Sequence, residues 1–369
     1  MQVSHEHHFV PMWYQRGFLE PGSHKLHVMN LKRETASLPG GGIITNPEFE
    51  ELGPKSCFVR SDLYSIEARN LPPDLIEKTL FGEIDRIGAN AVRAWTSGDF
   101  KKEHDFHQAF YEYLDAQKIR TLKGLGWLKR KYPKLNQNQL MDELLKLRTA
   151  HCVMWTESVR EIVNAKSSFV KFISSDHPVT VFNSGSPPTV PIYSFPYEPA
   201  IGLNGSQTVF PMDRDHCLIL TNLEYAKIRR GENPLKERIN ARYGGETIVR
   251  TDITIRKRSL SSENVMAINY LIKTQADRQI VAGKREWLPP EAFSWKEIGK
   301  VLMPNQDDLW EYGGESYFGM KDGTVIYQDQ FGSRVRYPNR GAVPDSMKKE
   351  FESIKKHIKK TNGGKEPDF

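Results

Sequence analysis

The chain has 369 residues, with 52 Lys and Arg against 46 Asp and Glu, for a formal net charge of +6. Hydrophobic residues make up 38% of it and aromatic residues 11%, enough branched and ring material to bury a large core, so a disordered chain is excluded. Neither glycine nor charge recurs at a fixed period, which excludes collagen-like and heptad arrays, and the length suits one large domain with an appendage or two domains.

The N-terminal stretch Met1-Gln2-Val3-Ser4-His5-Glu6-His7-His8 lacks a cationic region followed by an apolar run, so it does not read as a signal peptide. No stretch reaches the roughly 18 to 20 apolar residues of a membrane span. The cysteines Cys57, Cys152 and Cys217 are odd in number and show no CxxC spacing, which argues against a disulfide framework or a structural zinc finger. A soluble, cytoplasmic protein with no membrane contact is expected.

Short strands and turns are expected over the first 70 residues. Residues 25–30 alternate with the period of a strand, Gly40-Gly41-Gly42 and Asn46-Pro47 mark a loop, and residues 61–66 are a second strand candidate. Asp74 can cap a helix over 75–96, whose Ile76, Leu80, Ile84, Ile87, Ala91 and Trp95 recur at three and four. Phe106, Phe110, Tyr113 and Leu114 continue that spacing to about 125, and a third, longer helix is predicted over 138–165. The next third reads as β: strands at 168–173, 180–182, 208–213 and 217–221, with a proline-rich loop at 185–199. A helix capped by Ser261 or Ser262 is predicted over 262–285. Beyond Trp287-Leu288-Pro289-Pro290, segments at 317–320, 324–327 and 334–337 separated by tight turns predict a three-stranded meander, followed by a Lys-rich helix over 346–360. The expected class is α+β. A helix-rich middle third packs on a mixed or antiparallel sheet in a main domain over 1–290, and 291–369 forms a small C-terminal meander and helix.

Several landmarks, taken in order, resemble the family known as domain of unknown function 4238. His7-His8-Phe9-Val10-Pro11-Met12-Trp13-Tyr14-Gln15-Arg16-Gly17-Phe18 is similar to its His-x-Val-Pro-x-x-Tyr-Leu-x-x-Phe opening, with Gln15 in place of the leucine. Glu83 sits where the family has a helical glutamate, and Gln117-Lys118-Ile119-Arg120-Thr121 resembles its Gln-x-x-Arg-Thr helix. Phe172-Ile173-Ser174-Ser175-Asp176-His177-Pro178-Val179 resembles its Ser-Asp-x-Pro strand end. Phe210-Pro211-Met212 resembles its proline before an apolar strand, and Ile268-Asn269-Tyr270-Leu271 its late Asn helix. The resemblance spans about residues 7–285 and leaves the last 80 or so outside. It implies no particular activity.

The chemistry is therefore argued from the residues. His8, Glu83, Arg120 and Asp176 are the candidate catalytic set: a helical carboxylate, an aspartate at a strand end and an imidazole are ingredients of acid/base chemistry, and an arginine clamps phosphate. The same Asp176, Glu83 and His8 would ligate a divalent ion such as Mg²⁺ or Mn²⁺. Each residue has a structural alternative. Asp176 before His177-Pro178 suits an Asx turn, Glu83 suits a buried ion pair with Arg120, and His151 suits the core. No Gly-x-Ser-x-Gly, Walker or dinucleotide glycine pattern occurs, so no nucleotide cofactor is implied.

The charge falls on two stretches. Residues 116–141 hold Lys118, Arg120, Lys123, Lys129, Arg130, Lys131 and Lys134 with no acid, and Trp127 and Tyr132 among them; residues 227–258 are net +6. The remainder of the chain is therefore acidic. Basic runs interleaved with aromatics suit nucleic acid, RNA or DNA, and Gln117, Lys123, Arg130, Lys131 and Asn269 are the candidate substrate-binding residues. Beside a weaker idea, a hydrolase of a small phosphorylated or nucleotide metabolite, two functions remain open on this reading. One is a nucleic-acid-directed, metal-dependent hydrolase of nuclease type. The other is a non-catalytic nucleic-acid- or protein-binding module with a structural ion-pair network.

Overall fold

The computed structural model describes residues 6–33, 35–37, 42–61, 63, 81–147, 151–188, 198–227, 233–238, 253–305, 308–309, 316–319, 323–328, 334–345 and 348–349. The first part of the chain forms β1 (Glu6–His8), α1 (Met12–Arg16), β2 (Leu26–Asn30), β3 (Thr35–Ser37), β4 (Ile43–Thr45), β5 (Phe49–Leu52) and β6 (Val59–Ser61). The helical third follows as α2 (Gly82–Ser97), α3 (Phe100–Asp105), α4 (His107–Ile119), α5 (Leu122–Lys131), α6 (Gln137–Leu147) and α7 (Cys152–Thr156). Next come β7 (Ser158–Asn164), β8 (Ser174–Ser175), β9 (Thr180–Asn183), β10 (Ser206–Pro211), β11 (His216–Asn222) and α8 (Leu223–Lys227). The chain continues with α9 (Ser262–Gln275), β12 (Gln279–Ala282), α10 (Trp295–Leu302), β13 (Ser316–Gly319), β14 (Val325–Gln328) and β15 (Arg334–Tyr337).

The fold is α+β, and two four-stranded antiparallel sheets organise it, in the orders β7-β11-β10-β9 and β5-β2-β12-β8. The chain divides into two compact units. The first contains Met1–Ala241 and Arg250–Asp308, and so includes α10, beyond the change of composition at 290. The second contains Arg242–Val249 and Leu309–Phe369, and its described strands form the antiparallel meander β13-β14-β15. Among the described residues no helix is long and apolar enough to cross a membrane.

Aromatic residues dominate the core of the first unit. The Trp95 ring of α2 stacks on Phe110 of α4 at 3.8 Å between centroids, and Tyr14 stacks on Phe210 of β10 at 5.4 Å. The full burial of such rings supplies the largest apolar contributions a single residue can make.

Four predicted elements come out differently, each for an identifiable reason. The helix expected to run from 106 to 125 breaks after Ile119, because Thr121 leaves helical geometry and its hydroxyl accepts the Gly124 N–H as the N-cap of α5. The long helix over 138–165 ends early: its last quarter, Ser-Val-Arg-Glu-Ile-Val-Asn, is β7, buried along six of its seven residues. This strand pairs with β11 on one side, and on the other the Ile162 N–H donates to Ile255 O and the Ile255 N–H to Arg160 O. Long-range pairing on both edges overrides the local helical spacing. Residues 168–173 form no strand; side chains hold their backbone, and the Phe169 ring is 92% exposed. The helix over 262–285 stops at Gln275, and Ile280-Val281-Ala282 enters the middle of the second sheet as β12. Of the strand predicted over 61–66 only Ser61, at the end of β6, and Leu63 are described; the rest of it, the start of the 75–96 helix with its Asp74 cap, and most of the 346–360 helix lie outside the described residues.

Candidate functional site

The polar residues singled out in the sequence distribute over several joins of the fold. Asp176, buried, ends β8 and faces the turn from α9 into β12. One carboxylate oxygen accepts the Asp277 N–H at 2.9 Å, and the other accepts those of Arg278 and Gln279 at 2.7 and 3.2 Å. Three amides on one carboxylate are what stops α9 and turns the chain into the sheet. Burial pushes the Asp176 carboxyl up to about 6, against the opposite pull of those amides, and the neighbouring Asp277 adds to the rise.

Glu83 does not reach Arg120. It lies on the exposed side of α2 and pairs with Arg86 one turn on, which lowers its carboxyl below the usual range. The carboxylate beside the buried Arg120 guanidinium is Asp85, at 2.8 Å. The guanidinium also donates to Gln117 Oε1 and lies over the Phe81 and Tyr113 rings. Gln117 in turn donates to Phe9 O at 3.0 Å, tying α4 to the N-terminal segment. Asn269 is a second clasp of this kind: it accepts the Ile173 N–H and donates to Lys171 O. The His8 ring lies 3.0 Å from Lys55 O across the β1–β6 ribbon, and His151 meets Asp115 at 2.6 Å. Among the described residues no three His, Cys, Asp or Glu side chains gather to hold a metal ion, so Asp176, Glu83 and His8 do not form a shared cation site.

A different cluster does converge, at the break between α4 and α5. Lys118, Thr121 and Lys123 flank the break; His177, from the turn after β8, and Glu198 complete it. The Thr121 hydroxyl lies 2.8 Å from His177 Nδ1, and His177 Nε2 lies 3.5 Å from a Glu198 oxygen that also accepts the Val181 N–H at 3.2 Å. The other Glu198 oxygen pairs with the Lys118 ammonium. With a carboxylate facing Nε2, the ring is best satisfied when Thr121 donates to Nδ1 and the proton sits on Nε2. Burial, aided by Lys123 and Lys118, holds the His177 imidazole neutral far below its ordinary range. Burial and then repulsion from Lys123 push the Lys118 ammonium down to about 7, and attraction from Asp115 opposes the fall. Lys123, also buried, is lowered to about 8 and donates to Gln275 O and Oε1 at 2.9 and 2.6 Å. Gly124 makes the junction possible: a Cβ there would lie 2.3 Å from Ile119 O and 2.6 Å from Lys118 O.

The sequence reading reached Lys123 but missed Lys118 and His177 as partners, and Glu198 altogether. The available signal was the run Lys-x-Arg-Thr-x-Lys with a Gly one step on, which is dense in cations for a helix otherwise lined with apolar residues. Glu198 carried no local signal.

The described cations of the basic stretches can be followed to their partners. Arg258 makes a two-pronged pair with the buried Glu161 at 2.6 and 2.5 Å, Arg256 pairs with Glu103, Lys257 with Asp308 at 3.1 Å, and Arg238 lies 4.0 Å from Glu157. By contrast, Lys129, Arg130, Lys131 and Lys134 at and beyond the end of α5 are exposed, and the Lys131 ammonium lies over the Trp127 and Tyr132 rings at 5.1 and 5.5 Å.

Comparison with known proteins yields one match. The model of a family described as "Protein of unknown function (DUF4238)" covers residues 6–286, about three quarters of the chain, and the chain belongs to that family. No curated protein and no solved structure matches it.

Proposed function

For this member of the DUF4238 family we propose a binding role: the end of α5 docks the phosphate backbone of a nucleic acid, and the buried ion pairs hold the scaffold that presents it. One observation carries the reading. In the first basic stretch Lys118, Arg120 and Lys123 are engaged inside the fold, whereas Lys129, Arg130, Lys131 and Lys134 are presented to solvent beside two partly buried rings. Cations at a helix C-terminus also suit the helix dipole, which accounts for their position but not for Trp127 and Tyr132 among them. Rings beside cations offer bases a stacking surface while the charges track phosphates, a sequence-tolerant mode of single-strand binding.

Phosphodiester hydrolysis is the weaker reading. It draws on His8, Glu83, Arg120 and Asp176 acting together, and Glu83 is spent on Arg86 while Asp176 is spent on three amides. None of Cys57, Cys152 and Cys217 is in a disulfide, which suits a reducing compartment, and we assign the protein to the cytoplasm on that basis.

Fluorescence anisotropy with labelled single-stranded RNA and DNA tests the role. Binding should weaken steeply with salt, and replacing Lys129, Arg130 and Lys131 by Ala should lower the slope of log K against log salt by about 2, at roughly 0.7 per phosphate contact. Unchanged affinity in that variant would remove the α5 surface from the function. Incubation with Mg²⁺ or Mn²⁺ should leave both nucleic acids intact; cleavage that Asp176→Asn abolishes would replace binding with hydrolysis.

A further inference from the structure

We propose that Lys118, His177 and the Val181 N–H form a receptor for a phosphoryl group, occupied in this structure by the chain's own Glu198 carboxylate. The donors come from three separate places: α4, the turn after β8, and the start of β9. Buried side chains from distant segments that aim at one carboxylate make a preformed anion site rather than a surface ion pair.

Three features mark Glu198 as displaceable. It belongs to no helix or strand, so no regular element fixes its side chain in place. It is 12% exposed, so the receptor reaches solvent on its side. It also underfills the receptor: His177 Nε2 is buried with no hydrogen-bond partner, because the nearest carboxylate oxygen stands 3.5 Å away. A planar carboxylate presents two oxygens to donors on three sides. A tetrahedral group presents three or more and can satisfy Lys118, Val181 and the Nε2–H together.

Oxygen count selects phosphate over carboxylate. Lys118 and Lys123 repel each other, while Asp115 attracts Lys118 and Asp176 and Asp277 attract Lys123, so the site lacks matching acceptors rather than negative charge. A phosphoryl group offers those donors three or more oxygens where Glu198 offers two. Glu198 then acts as an internal competitor, and ligand enters by displacing it. This inference is independent of the α5 surface, since none of Lys129, Arg130 and Lys131 takes part.

Isothermal titration of the full chain with inorganic phosphate tests it. Glu198→Gln keeps the side-chain shape and removes the competing charge, so phosphate should bind this variant at least tenfold more tightly than wild type. The gain should vanish in Glu198→Gln/Lys118→Met and persist when Lys129, Arg130 and Lys131 are replaced by Ala. Acetate, a carboxylate like that of Glu198, should bind the Gln variant more weakly than phosphate does. Removal of Glu198 also leaves Lys118 buried without its partner, so millimolar phosphate should raise the melting temperature of the Gln variant more than that of wild type. Equal phosphate affinity in wild type and Glu198→Gln would overturn the proposal. So would a gain that survives Lys118→Met, or a melting temperature of the Gln variant that phosphate leaves unchanged.

Discussion

The two basic stretches of the chain carry nearly the same net charge, and their described cations are used differently. Residues 253–260 run beside β7, and there Arg256, Lys257 and Arg258 are each matched to an acid: Glu103, Asp308 and Glu161. The first stretch is divided by the helix break at Thr121. Its early cations are buried among Asp85, Glu198 and Gln275, and its late cations emerge on the last turn of α5 and just past it. Net charge along a sequence is thus a poor guide to surface potential. Each cation has to be followed to its partner, and only those that leave the fold contribute to the field a distant polyanion meets.

This contrast can be broken at its strongest point. Arg258→Ala leaves Glu161 buried and uncompensated, so it should cost about 3–5 kcal/mol, read as a lower midpoint in urea unfolding. A loss of less than about 1 kcal/mol would mean that the second stretch is not consumed internally and belongs with the surface charges. Replacing both partners of the pair by apolar residues of similar size should recover most of the loss, because the penalty comes from the orphaned charge rather than from a missing attraction.

Lys123 sharpens the contrast inside the first stretch. Its folded pKa of about 8 is below that of an unfolded lysine, so the native state holds the proton less firmly. The cost of burying the charge is fully present below about pH 8 and is relieved as pH rises toward the unfolded value. Stability should therefore gain on the order of 3 kcal/mol from this group across that window. Unfolding free energies of wild type and Lys123→Met, compared at pH 7 and pH 10, should rise in both because Lys118 is lowered as well, with the rise smaller in the variant by about 3 kcal/mol. Parallel curves would mean that Lys123 is solvated like its neighbours on α5.

The smallest effect belongs to the exposed end. Substitution of Lys129, Arg130 and Lys131 by Ala should change stability by no more than about 0.5 kcal/mol per site, since all three side chains are exposed. A larger loss in the melting temperature would give them a structural task and weaken their assignment to ligand.

Much of the chain's architecture was legible before any coordinates. The α2 stripe through Ile84, Ala91 and Trp95, the β10–β11 hairpin, the Ser261 cap of α9 and the C-terminal meander all follow from periodicity and turn chemistry, which act over a few residues. Several of the motif positions, Gln117, Arg120, Asp176 and Asn269, prove to be buried polar groups that must be satisfied inside the fold. What they are satisfied by was not legible. Asp176 reads as a candidate acid and proves to hold the amides of residues 277–279, a hundred positions further along. Glu83 and Asp85 are indistinguishable as helical carboxylates, and only the packing of α2 on α4 sets Asp85, not Glu83, against Arg120. Likewise Ser158–Asn164 carries a helix-compatible spacing, and its pairing with β11 and with the segment after residue 253 makes it a strand.

The sequence by itself determined the class of fold, the separate C-terminal meander and the presence of two cationic stretches, because composition, period and charge are local quantities. The tertiary structure alone decided which cations stay at the surface and that Lys118, His177 and Glu198 meet, because the partner of a buried charge is set by chain segments far away in sequence, and burial makes leaving that charge unpaired too costly to tolerate.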